Sequence, residues 1–560
     1  MIEERLVEAL SEALRSAAAN LGIDGDLPTP ELLVPKQRDH GDFATNVALS
    51  IASRAGGRPP REVAQAIADA MPPAPFLEKV EVAGPGFLNL FTTDDWLHDA
   101  LRALVAQGSD YGRSEPNGRR VQVEFVSANP TGPLTVAHAR NAAIGDAVAR
   151  LFEATGWSVE REYYFNDAGG QMDRFGSSVE ARFLQLTGRE AEVPADGYHG
   201  EYIEDLARDI LETEGPRLAA LPDHERFLRM RAEGVSRVLR WIEATLERFG
   251  VPFDVYFRES ELAAKGEIEA AVKRLRESGK AYDEEGAVWF RSTDYGDDKD
   301  RVLVRSNGQH TYFGADCAYL IDKFSRGFDH VVYVWGADHH GDVARVKGAA
   351  EALGFDPDAV EPVIYQWVAF LRDGEPVPMG KRSGNFITLD ELLDEVGADA
   401  TRFQLLLYSN DAAVNFDIEA VKRRSMDNPV YYVQYGHARI ASILRKAEAE
   451  GVVRRPIAEV DLSVLASDAE VDLLRGLADV PAQIAYAAEL RSPHRIAHAT
   501  QDLAALFHRF YRECRVVSDD QALTQARLWL AAGTKQVLAN LLGLLGVGAP
   551  ESMHRIDGDG

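Results

Sequence analysis

The chain alternates between two hydrophobic periods, and it divides where one gives way to the other. It opens on Ile2, Leu6, Leu10 and Leu14, apolar positions four apart that predict an amphipathic helix over 2–19. A loop carrying Pro28 and Pro30 follows, then predicted helices over 44–53 and 61–70 and two short runs, 80–83 and 87–91, that predict strands. This is a small α+β arrangement, continued by a connecting helix from Trp96. After Ser114-Glu115-Pro116-Asn117-Gly118 the pattern becomes short apolar runs between helical stretches. Strands are predicted over 121–126, 160–165, 302–304, 330–335 and 363–370, with a helix over 137–155 after the first. Strands alternating with helices predict a doubly wound, largely parallel, Rossmann-like α/β sheet. The charge-rich helical stretch from about 170 to 260 reads as an insertion into it. From about 420 the period is helical throughout, with helices over 428–449, 467–489, 491–514 and 521–545. Three domains are expected: 1–115 (α+β), 116–420 (the sheet domain) and 421–560 (all-α).

Composition narrows the class. With 560 residues, 46% hydrophobic and 27% charged, the chain supports several cores and is neither disordered nor fibrous. A net charge of −28 argues against a protein that coats nucleic acid indiscriminately. The acidity is uneven: residues 421–550 sum to +2 and the remainder to −30. Any nucleic-acid contact must therefore come from local clusters such as Lys422-Arg423-Arg424. Two distant cysteines, Cys317 and Cys514, form no CxxC pair, which fits a reducing, cytoplasmic setting. No apolar run has membrane length, and the N-terminus is acidic where a secretory signal is basic, so no membrane association is expected.

Chemistry concentrates in a few segments. Between Val121 and Asn141 a strand empties into a turn punctuated by Pro130, Gly132 and Pro133, and a helix begins just after. Backbone N–H groups at such a helix start hold an anion at the carboxyl end of the sheet. His138 in the first turn is placed to donate to a phosphate oxygen, with Asn129 and Thr131 adding neutral hydrogen bonds. Met379-Gly380-Lys381-Arg382-Ser383-Gly384-Asn385 is a flexible basic loop suited to closing over a triphosphate, and Thr388 with Glu391 has capping-box spacing just beyond it. Asp338, His339, His340 and Asp342 suggest a metal. Adjacent histidines on an extended segment point oppositely, however, so no protein-bound metal is expected.

The 121–141 segment resembles the signature of class I aminoacyl-tRNA synthetases, and its Ser127-Ala128-Asn129-Pro130-Thr131-Gly132-Pro133-Leu134 context resembles arginyl-tRNA synthetases in particular. The class signature His-x-Gly-His falls on Thr135-Val136-Ala137-His138, so only the second histidine is kept. The Lys-Met-Ser-Lys-Ser signature falls on Pro378-Met379-Gly380-Lys381-Arg382, where Lys381 matches the second lysine. Gln309 to Ala318 resembles the family's arginine-recognition segment, with Tyr312 and Asp316 at the matching positions. A carboxylate meets a guanidinium through two parallel hydrogen bonds, and residues four apart share a helix face. The 36–46 segment resembles the family's N-terminal module, where Asp42 is expected to cap a helix; 427–439 and 507–511 resemble its anticodon-binding helices.

The resemblance covers nearly the whole chain. It implies an ATP-dependent arginine–tRNA ligase whose partners are tRNA(Arg), L-arginine and ATP with Mg²⁺, the metal carried mainly by phosphates and waters, acting as a monomer in the cytoplasm. The implied catalytic residues are Thr135, His138, Lys381 and Arg382. ATP falls to Asn129, Thr131, Gly132, Ala137, His138, Gly336, Asp338, Met379 and Lys381. Arginine falls to Glu124, Asn129, Tyr312, Asp316 and His339, and tRNA to Lys36, Arg38, Lys422, Arg423, Arg424, Tyr435 and Arg439. Two alternatives stand beside it. Another class I ligase shares the fold, and a non-catalytic tRNA- or amino-acid-binding paralogue is motivated by Thr135, Ala137 and Pro378.

Overall fold

The computed structural model describes residues 2–33, 35, 38–167, 169–377, 379–380, 385–423 and 425–553. The chain folds into two compact units, each assembled from separate stretches: Met1–Gln107 with Val453–Ala478 and Phe510–Gly533, and Gly108–Val452 with Asp479–Arg509 and Thr534–Gly560.

In the first unit the helix Ile2–Leu21 buries Leu6, Leu10 and Leu14, as the four-residue spacing requires. A three-stranded antiparallel sheet places Phe87–Thr92 between Phe43–Thr45 and Leu77–Ala83. The helix predicted over 44–53 therefore starts late, at Val47, because Ala44 pairs across to Asn89 and bridges Leu33. Asp42 is not a helix cap. Its carboxylate accepts from the backbone and hydroxyl of Thr92, each at 2.7 Å, and pairs with Arg475. The helix predicted over 467–489 is two helices, Asp468–Ala478 and Val480–Glu489, with Pro481 in the first turn of the second.

The second unit is organised on five parallel strands: β1 (Arg120–Glu124), β2 (Ser158–Phe165), β3 (Val255–Arg258), β4 (His330–Gly336) and β5 (Val360–Tyr365). Their order is 3-2-1-4-5, a doubly wound sheet whose direction of winding reverses between β1 and β4. Ligands of such sheets sit at the carboxyl ends of the strands flanking that reversal. The helix α1 (Ala139–Ala154) follows β1, α2 (Tyr312–Ser325) precedes β4, and α3 (Val343–Ala352) links β4 to β5. Helices Gly170–Leu186, Glu201–Glu214 and Asp223–Arg248 stand between β2 and β3.

Two strand expectations are corrected. The 302–304 run is in strand Arg301–Val304, but it pairs antiparallel in a separate three-stranded sheet with Ala281–Glu284 and Ala287–Phe290. The 363–370 run is two strands, β5 and Val368–Arg372, and the second joins another small sheet. The break falls at Gln366, whose carbonyl is taken by the buried Arg140, which also donates to the carbonyls of Ser409 and Ala412 at 2.8 Å. Among the described residues no helix is long and apolar enough to cross a membrane.

Helix α1 is anchored beneath the sheet. Asp146 is fully buried and pairs with Arg402, with Arg150 at 2.7 Å and with Arg161 at 3.3 Å. Burial pulls its carboxyl upward, but the three guanidiniums prevail and hold it below the usual carboxylate range. The neighbouring Gly145 lets α1 close on the end of β1, since a Cβ there would overlap the Phe125 ring.

Candidate active site

The chain leaves β1 through a forced bend. Val126 and Ser127 both take left-handed backbone, with φ of 64° and 45°, although neither is glycine and Val126 is β-branched. Side chains from neighbouring elements hold the bend. The Val126 N–H donates to Asn141 Oδ1 on α1, and Asn141 Nδ2 donates to the Val334 carbonyl on β4 at 2.9 Å, clamping the two strands that flank the reversal. The Tyr163 hydroxyl accepts from Ala128 N–H at 3.1 Å and donates to the Ala128 carbonyl at 2.8 Å. Strained backbone fixed from several sides is a mark of a functional turn.

Beyond the bend, Asn129 is fixed at both ends of its amide: Nδ2 donates to Gln171 at 2.8 Å and Oδ1 accepts from Asn166 N–H at 3.1 Å. The Thr131 carbonyl accepts from the Tyr202 hydroxyl at 3.0 Å, and Gly132 has φ of 155°. The turn Val136–His138 then opens α1. There Thr135 and His138 form a reciprocal cap, His138 Nδ1 accepting from Thr135 N–H at 3.1 Å and lying 3.1 Å from its hydroxyl. The same Nδ1 also lies 3.2 Å from the Thr135 carbonyl, so all three polar atoms of Thr135 converge on it. Thr135 thus orients His138, while Ala137 stands exposed between them.

The same turn meets the far end of the basic loop. Val136 N–H donates to the Ile387 carbonyl at 3.2 Å and Leu389 N–H to the Leu134 carbonyl at 2.8 Å. The capping box read at Thr388 is formed, with Glu391 N–H donating to the Thr388 hydroxyl at 3.0 Å. Met379–Gly380 pairs antiparallel with Asn385–Phe386, so the loop is closed by a short hairpin. Pro378, Lys381 and Arg382 lie outside the described residues.

Between β1, β3, α2 and the end of β4 lies an acidic cleft. Asp316 on α2 is accessible to water yet deep among protein atoms, as a group on the floor of an open cleft is. Its carboxyl is pushed up to about 7, by burial first and then by Glu124, Glu259 and Asp342, against Arg345. Glu259, at the end of β3, accepts from the Tyr164 hydroxyl at 2.7 Å; burial raises its carboxyl too. Glu124 is paired with Lys323 at 2.6 Å, and Asp342 with Arg345. Tyr312 stands 69% exposed, one helical turn before Asp316. His339 Nδ1 lies 3.0 Å from Asp342, and its ring packs on Trp335. Gly336 admits the Asp338 carboxylate, which would lie 2.5 Å from any Cβ there. No group of His, Cys, Asp and Glu among the described residues is arranged to hold a metal.

Glu124, Asp316, Asp342 and His339 are thereby brought to one cleft beside the Asn129–His138 turn. Glu259, Asn141 and Lys323 were not singled out in the sequence: Glu259 reads as an acid in the first turn of a short helix, and only the position of β3 delivers it. The expected RNA-contacting residues lie elsewhere. Arg439 donates to the Tyr435 hydroxyl at 2.7 Å on helix Pro429–Ala449, with Tyr431 and His508 stacked alongside. Lys422 bonds Glu395 at 3.2 Å, and Arg423 is exposed. Arg38 begins the short 38–40 turn, whereas Lys36 and Arg424 lie outside the described residues.

A doubly wound sheet whose first strand empties through a strained turn into a helix, with acidic side chains gathered beside it, is the architecture of a class I aminoacyl-tRNA synthetase. Residues 100–424 match the family model for the class I (R) tRNA synthetase catalytic domain, 3–92 the arginyl-tRNA synthetase N-terminal domain, and 433–553 the DALR anticodon-binding domain. The chain is 48% identical over 557 residues to the arginine–tRNA ligase of Frankia alni, covering 98% of this chain and 99% of that one. It is 45% identical to the arginine–tRNA ligase of Desulforamulus reducens, over 99% of both chains. Among solved structures, a putative arginyl-tRNA synthetase from Campylobacter jejuni superposes with a TM-score of 0.75 at 34% identity, over 82% of this chain and 100% of that one. The Thermus thermophilus arginyl-tRNA synthetase shares the fold, with a TM-score of 0.75 at 24% identity over 98% and 100%. The chain belongs to the arginyl-tRNA synthetase family.

Proposed function

We propose that the chain joins arginine to tRNA(Arg) in two steps at the β1/β4 edge. ATP lies between the Asn129–His138 turn and the Lys381 loop, with Gly336 and Asp338 toward its ribose and Mg²⁺ on its phosphates. The arginine guanidinium enters the cleft at Asp316, Glu259 and Tyr312, and Asn129 and His339 face its backbone end. One oxygen of the arginine carboxylate attacks the α-phosphorus in line, the bond to the bridging oxygen breaks, and pyrophosphate leaves. Thr135 orients His138 toward the phosphates, and Lys381 and Arg382 take up charge on the departing pyrophosphate. The terminal ribose hydroxyl of the tRNA then attacks the activated carbonyl and AMP leaves. Such catalysis rests on positioning and charge, with no side-chain nucleophile. Lys36, Arg38, Lys422, Arg423 and Arg424 serve tRNA phosphates, and Tyr435 and Arg439 serve splayed bases.

The observation that carries this reading is the carboxylate of Asp316. Alone in the cleft it has neither hydrogen bond nor ion pair among the described residues, next to a turn built for an anion. Pyrophosphate exchange run with each amino acid, with and without tRNA, tests it. Exchange that depends on arginine supports the reading, including exchange that appears only with tRNA present. Exchange absent under both conditions, or driven by another amino acid, overturns it.

A further inference from the structure

A buried cation beneath the acidic cleft takes no part in the reaction as set out above. Lys323 of α2 has no exposed surface, and its Nζ lies 2.6 Å from Glu124 Oε2. It sits between two aromatic faces, 4.2 Å from the Tyr319 ring centroid and 4.1 Å from that of Tyr333. The sheet explains why a cation is needed there. In the parallel register Tyr333 of β4 neighbours Glu124 of β1, and Glu124 neighbours Glu162 of β2, so two carboxylates stand side by side on one face. Like charges at paired sheet positions repel. Helix α2 answers each one separately: Lys323 meets Glu124, while Tyr319 and Arg326 meet Glu162, the latter at 2.6 Å.

The charge pattern of the cleft follows. Glu124 is paired with Lys323 and Asp342 with Arg345, while Glu259 accepts from the neutral Tyr164 hydroxyl, a bond that offsets no charge. We propose that Lys323 is a specificity-determining positioning residue, a resident cation that offsets the charge of Glu124 and so limits the negative charge that the substrate guanidinium meets at Asp316 and Glu259. A cleft with Glu124 also unanswered would recruit a second positive charge, from a proton or from a competing cation. The proposal rests on the arginine-pocket reading above.

The groups that face this site are Glu124 and Glu162 from the sheet, Tyr333 from β4, Tyr319, Asp322 and Arg326 from α2 itself, and Glu259, Asp342 and Arg345 around Asp316. The test is the pH dependence of KM for arginine in aminoacylation by the full-length protein, with ATP and tRNA saturating. In Lys323→Met the pH below which KM climbs should move up by about one unit, the scale of one uncompensated charge at an effective dielectric near 20. Glu124→Gln should move it down, the double substitution should return it near the starting value, and Lys323→Arg should leave it in place. Coincident midpoints in the original protein and Lys323→Met, with only the melting temperature lowered, would show that Lys323 merely packs and would overturn the proposal. If Lys323→Met does not fold, an unmoved midpoint in Glu124→Gln overturns it equally. Failure of the pocket reading shows separately, as unchanged arginine kinetics in Asp316→Asn.

Discussion

Asp316→Asn replaces the free carboxylate of the cleft with an amide of the same shape. Truncating one member of a desolvated charge pair costs about 2–5 kcal/mol, and the open cleft places this one at the low end. A loss of about 2 kcal/mol is roughly a 30-fold fall in kcat/KM for arginine. The raised carboxyl sets a second, sharper expectation. With a value of about 7, Asp316 in the free enzyme is about nine-tenths ionised at pH 8 and about one-tenth at pH 6. Only the ionised form attracts the guanidinium, so arginine use falls as the pH drops through 7. The substituted amide has no proton to gain, and the roughly 30-fold gap at pH 8 should shrink to about threefold at pH 6. Aminoacylation kinetics at pH 6, 7 and 8 measure it, with thermal melts to show that the variant is folded. A gap of the same size at every pH would refute the argument, as would arginine kinetics at pH 8 indistinguishable from the original.

Three further outcomes are expected. Asp146→Asn strands three guanidiniums around a buried site and should cost about 3–5 kcal/mol in urea unfolding at pH 7. The folded value of Asp146 lies below its unfolded one, so this stabilisation is present above about pH 4 and lost in acid, and the gap should narrow there. Thr135→Ala removes the hydroxyl beside His138 and should slow adenylate formation about tenfold with an unchanged KM for arginine, while Thr135→Ser keeps most of the rate; stopped-flow or exchange assays decide. Lys381→Ala should likewise slow the first step with little change in arginine affinity, and an unaltered activation rate would remove Lys381 from the pyrophosphate.

Local pattern carried most of the architecture and stopped where distant chain decides. The spacing of Ile2, Leu6, Leu10 and Leu14 specifies a helix from within, the apolar run 121–126 specifies a strand that nevertheless ends at Glu124 because Val126 turns left-handed, and the capping box at Thr388 is entirely local. By contrast, a four-residue run such as 301–304 says strand but not which sheet, because its partners are chosen by edges elsewhere in the fold. Ala44 looks helical until Asn89, forty-five positions away, claims its backbone. Asp42 has the look of a cap and is instead committed to Thr92 and Arg475. The cleft shows the same limit. The family resemblance points to Tyr312 and Asp316, whereas Glu259 and Lys323 have no local mark. One arrives with the end of β3, and the other is needed only because the register sets Glu124 beside Glu162.

The left-handed pair at Val126 and Ser127 sets robustness against accuracy at a single peptide. Residues held in such backbone cost on the order of 1–3 kcal/mol each. A lineage pressed only for heat resistance gains by exchanging Val126 for glycine, which adopts that backbone freely. The gain would be made at the point from which Ser127, Ala128 and Asn129 take their direction. Its penalty would therefore appear as looser grip on both small substrates, in a protein that melts later and charges more slowly.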